Sequence, residues 1–109
     1  MSIDFEKLLA DMLEAGEKAA KGHAADLKNY LQARAQLIAQ SVAQLAQDRR
    51  AGKINDSDVK FAFDQIRESE KTQLNAVAVT AKAAAQDAIN AALTVAAKTI
   101  NKAIGIALL

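Results

Sequence analysis

The chain has 109 residues, neither Cys nor Pro, and a formal net charge of +1. That length allows one domain. The lack of Cys excludes a disulfide framework and thiolate metal sites, and the lack of Pro leaves every helix interior free of that breaker. Charge is balanced along the chain, with seven acids and seven bases in residues 1–52 and six acids and seven bases in 53–109. A nucleic-acid partner would call for a strong basic excess, so none is expected.

Apolar residues make up 51% of the chain, but 26 residues are alanine and the aromatics are only Phe5, Tyr30, Phe61 and Phe63. Each alanine buries little area, so a core built by one copy alone is expected to be thin. The first residues already carry Asp4, Glu6, Lys7 and Asp11, unlike a signal peptide. The compartment is therefore open, with the cytoplasm as the default expectation. No run reaches the roughly 18 apolar residues of a standard membrane-crossing helix.

Helix formers run from about Ile3 to Ala51, and the apolar stripe repeats every eleven residues: Leu9, Ala20, Leu31 and Val42 form one row, and Gly16, Leu27 and Ile38 another. An eleven-residue repeat, about 3.67 residues per turn, suits a nearly straight helix. Gly16 and Gly22 are its weak points, each costing about 1 kcal/mol relative to Ala. They are read as tolerated within one helix. The alternative is a hinge or a close helix crossing at Gly16, and a break there would make three helices.

A turn is predicted over residues 52–55. Arg49 and Arg50 suit a helix C-terminus, Gly52 suits the left-handed position just beyond it, and Asn55 suits the next N-cap, with Asp56 and Asp58 in the first turn. Ile54 and Val59 have staple spacing. A second helix is predicted over about 56–107. The expected fold is all-α: a single long antiparallel helical hairpin, alanine-rich and coiled-coil-like, each helix roughly 70–80 Å long at 1.5 Å per residue.

The second helix carries two apolar rows. One holds Val77, Ala81, Ala85, Ala92 and their neighbours, interrupted by Glu70. The other holds Ile89, Leu93, Ile100 and Ile104. So wide an apolar arc calls for neighbours on more than one side. The chain then ends on the apolar run Ala103 to Leu109, and exposed apolar surface of that kind drives association.

Candidate chemistry is sparse. His23 is the single histidine, and Glu14, Glu17 and Asp26 stand near it in sequence. Residue 20 is Ala, so the Glu-x-x-His pairing of di-iron bundles is missing. A partly exposed helical His is the expected role, with no metal and no cofactor. The serines lack a nucleophile-elbow setting. Four scattered glycines cannot form a phosphate loop. Arg49, Arg50 and Lys53 at the turn are offset by Asp48, Asp56 and Asp58, which reads as helix capping rather than an anion site.

The expected function is that of a structural, self-assembling helical protein without an active site. Its partner is a second copy of itself, met through Val77, Ala81, Ala85, Ile89, Ala92, Leu93, Ile100 and Ile104. A lipid-surface or membrane-inserting hairpin is the alternative, because residues 88–109 set two Lys opposite an apolar row. A small adaptor offering a groove to another protein's helix is the third.

Overall fold

The structure, a computed structural model, describes residues 3–105. It is all-helical: α1 (Phe5–Ala20), α2 (Lys28–Arg50), α3 (Asp56–Gln73) and α4 (Val79–Ile104) pack together, and no strand occurs among the described residues.

Three helix boundaries have a local cause. Asp4 caps α1 by accepting the Lys7 N–H at 3.1 Å, satisfying one of the four free donors of a helix start. At the end of α2, Gly52 takes φ +77°. The Lys53 N–H reaches the Asp48 carbonyl at 3.0 Å and the Gly52 N–H the Arg49 carbonyl at 3.2 Å, the bond pair of a Schellman motif. Asn55 and Asp58 then form a reciprocal capping box over 3.0 and 2.9 Å.

Two further breaks divide the long helices expected from the sequence. The first follows Ala20: Lys21 takes φ +52°, a 3₁₀ turn spans Lys21–His23, and α2 begins at Lys28. The second is a 3₁₀ turn over Leu74–Ala76 followed by extended backbone at Val77 and Ala78. The longest dimension is therefore 44 Å, well short of the roughly 70–80 Å of two continuous helices. The physical reason is coverage. Folding back lets α1 and α2 cover both sides of the wide apolar arc of α4 within one chain.

The core sits among α1, α2 and α4. α1 buries Leu8, Met12, Gly16 and Ala20 along one face, and α2 buries Leu31, Ala35, Ile38, Ala39, Val42 and Ala46. α4 buries eight residues, five of them alanines at 85, 88, 92, 96 and 97. Small side chains let axes approach toward the short end of the 8–10 Å range. Gly16 belongs to that close approach. A Cβ there would lie 2.8 Å from a Leu31 methyl and 3.3 Å from the Ala88 carbonyl oxygen, so Gly16 marks a three-helix crossing, whereas Gly22 faces open space.

α3 is held differently. It lies chiefly against α2 and barely reaches α4. Of its 18 residues only Val59, Phe63 and Glu70 are buried.

Candidate functional site

The eight residues expected at a subunit interface divide in two. Ala85, Ile89, Ala92, Leu93 and Ile100 are buried in the core of the single chain. The cover assigned to a second copy comes from α1 and α2 instead. Val77, Ala81 and Ile104 are half-buried and pack at the edge of the same core. Of the apolar tail, Ala103 and Ile104 are half-buried and Ile106 to Leu109 lie outside the described residues.

The sequence-selected polar residues do not converge. His23 Nδ1 lies 3.8 Å from an Asp26 oxygen, while Glu14 pairs with Lys18 at 3.3 Å. Among the described residues no three His, Cys, Asp or Glu side chains are grouped so as to hold a metal ion. At the turn, Arg49 donates to Asp56 at 2.6 Å and Arg50 to the Ala103 carbonyl at 3.1 Å, tying the turn to the end of α4.

One polar constellation does stand inside the molecule. Glu70, on α3, is 3% exposed. It accepts two hydrogen bonds from Arg34 of α2, at 2.8 Å from Nε and 2.6 Å from Nη2. This bidentate geometry is the strong form of an ion pair. The hydrogen bond from Arg34 to Glu70 holds the guanidinium pKa above its ordinary value, against the opposing effect of burial. Tyr30, one turn before Arg34, has a buried hydroxyl with no hydrogen-bond partner among the described residues. Burial first, and then the Glu70 carboxylate, push its pKa up, while Arg34 pulls the other way.

The exposed surface carries a second feature. Beside the ion pair, α2 and α3 leave a groove of ≈ 460 Å³ lined by Gln40, Ser41, Gln44, Leu45, Ala62 and Ile66. None of these six is charged, although a quarter of the chain is. Leu37, one turn before Ser41, is 49% exposed and borders Ile66. Phe61, next to Ala62, is 66% exposed. A large apolar side chain such as Leu37, left open beside an uncharged groove, forms a surface suited to association.

Sequence reasoning missed Arg34, Leu37 and this groove. The signal for the ion pair was available at Glu70, a carboxylate on an otherwise apolar row, which requires a partner if that row is buried. Leu37 had a weaker signal, lying beside Ile38 but off the stripe.

The chain matches no protein-family model, no curated protein and no solved structure at a significant level. No described helix is long and apolar enough to cross a membrane.

Proposed function

We propose that this chain is a structural, non-catalytic helical module that self-associates, and that a second copy covers the α2–α3 groove. The observation that carries the reading is the uncharged lining of that groove beside the exposed Leu37. In a two-fold dimer, residues near the axis meet their own copies. Charged residues would repel there. Gln and Ser carry both donors and acceptors, so Gln40, Ser41 and Gln44 can pair with themselves. Leu37, Leu45 and Ile66 supply apolar area of the same kind to each side. The mixed, nearly neutral charge of the chain offers no electrostatic preference for a polyanion or an anionic lipid surface. This moves the self-association interface from the α4 rows, which the fold itself covers, to the outer face of α2 and α3.

Sedimentation equilibrium tests it. The reading predicts a dimer of the 11.6 kDa chain at tens of micromolar, weakened at least tenfold by Leu37→Glu with helicity unchanged, and left intact by Lys60→Glu. A compact monomer at that concentration, or equal effects of the two substitutions, contradicts it. So does Leu37-dependent binding to neutral vesicles by a chain that stays monomeric, which would assign the face to lipid.

A further inference from the structure

The connection at residues 74–78 lets α3 and α4 diverge, and between them lies a cleft of ≈ 320 Å³, at the small end of the range for ligand pockets. Its floor is apolar, formed by Leu74, Ile89 and Leu93. Its walls are polar and asymmetric. α3 contributes two cations one turn apart, Arg67 and Lys71. α4 contributes two neutral amides one turn apart, Gln86 and Asn90.

The charges within this cleft are not matched. Its one carboxylate, Glu70, has both oxygens engaged by Arg34, so it neither neutralises Arg67 and Lys71 nor presents a free anion. Arg67 is held in place with its guanidinium carbon 4.9 Å from the centroid of the Phe63 ring. Its nearest carboxylate, Asp64, is 4.0 Å away and half-exposed to water. Among the described residues Lys71 pairs with the solvated Glu68, at 3.4 Å. The guanidinium and ammonium donors thus keep capacity for a stronger acceptor at the cleft, where charge-assisted hydrogen bonds are about twice as strong as neutral ones.

We propose that the α3–α4 cleft binds a small organic anion with an apolar body, of which a medium-chain carboxylate is the simplest form. Arg67 and Lys71 take the anionic end, Gln86 and Asn90 orient it from the opposite wall, and the body lies on Ile89 and Leu93. A bare inorganic anion leaves the apolar floor unused, and a neutral alcohol leaves the cations unused. Because α3 and α4 scarcely touch otherwise, the ligand bridges them, and by mass action it stabilises α3 on the bundle. The site shares no lining residue with the uncharged groove and does not depend on self-association.

Titration of the labelled full chain with hexanoate, followed by NMR, tests the proposal. The expected result is saturable shifts at the Gln86 and Asn90 side-chain amides and the Ile89 and Leu93 methyls, with a rise in melting temperature. Hexan-1-ol and inorganic phosphate should each bind at least tenfold more weakly. Arg67→Gln combined with Lys71→Gln should raise the hexanoate Kd tenfold or more at unchanged helicity. Asn90→Ala, a change at an exposed position, should raise it severalfold. Equal binding of hexan-1-ol, equal binding of phosphate, non-saturating shifts, or affinity indifferent to the double substitution would overturn it.

Discussion

α1 against α4 and α3 against α2 are two helix pairings of one small protein built on opposite principles. The first uses little besides alanine, glycine and a few aliphatics. Its stability comes from backbone approach, with Gly16, Ala85, Ala88 and Ala92 leaving no room between the helices. The second uses two large apolar anchors, Val59 and Phe63, and one buried ion pair. The close pairing is intolerant of added volume. The sparse one concentrates its attachment in three side chains and leaves apolar surface outside. A sequence rich in alanine therefore does not mean a weak core, and a longer side chain does not mean a better-held helix.

The largest expected effect is at the ion pair. Glu70→Leu leaves Arg34 partly buried and unpaired, and removing one partner of a buried pair costs about 3–5 kcal/mol. The double change Arg34→Met with Glu70→Leu should recover most of that loss, because an apolar replacement of similar volume is often neutral or better. Urea unfolding of the parent chain and the two variants measures it. A double variant no better than the single one would mean that Arg34 is not held by Glu70 alone.

The close pairing should respond to volume. Ala92→Leu adds three heavy atoms at a fully buried position, and overpacking costs about 1–3 kcal/mol. Gly16→Ala crowds Leu31 and the Ala88 carbonyl and should destabilise by about 1 kcal/mol despite its higher helix propensity. Gly22→Ala, with nothing near its Cβ, should be neutral or stabilise by a few tenths of a kcal/mol. Thermal unfolding of the two glycine variants that gave equal shifts would remove Gly16 from the crossing.

The last expected effect, seen mainly at alkaline pH, is at Tyr30. It is the single tyrosine in a chain without tryptophan, so phenolate absorbance reports it alone. Its ionisation midpoint should lie above the ordinary 10.0, because burial disfavours the phenolate. In the unfolded chain the phenol ionises at its ordinary pKa. Above that pH the unfolded state therefore binds fewer protons, and stability falls as pH rises toward the higher folded value. Tyr30→Phe should abolish that part of the alkaline loss. At neutral pH it should leave stability unchanged or raise it by up to about 1 kcal/mol, since it removes a buried hydroxyl without a partner. A midpoint at or below 10.0 would contradict this environment.

What was legible in the sequence follows from range. The turn at 52–55 is written in neighbours: a glycine in the left-handed region and a reciprocal Asn55–Asp58 box three residues apart. The need of Ile89, Leu93 and Ile100 for cover was equally legible, because a wide arc on one helix is a local pattern. Where the cover comes from was not. Leu74-Asn75-Ala76 contains neither Gly nor Pro, and the backbone turns there because tertiary burial outweighs the helix propensity of a few residues. At the first break the positive φ falls on Lys21 rather than on Gly22 beside it. Arg34 and Glu70 are 36 residues apart, so their pairing became visible only once α3 was folded onto α2. The outer groove was hidden for the same reason: its two walls come from different helices.

α1, α2 and α4 form the stable core, and α3 is an attached element held by few groups. Native-state hydrogen exchange resolved by residue tests it most directly, because local opening free energies separate cooperative units. Amides of α4 around Ala88 to Ala96 and of α1 around Met12 to Gly16 should exchange only by global unfolding. Amides of α3 from Val59 to Glu70 should open at least tenfold more often, and Glu70→Leu should raise their opening further while α1 and α4 keep their protection relative to one another. Equal protection of α3 and α4, lost together in a single transition, would contradict it.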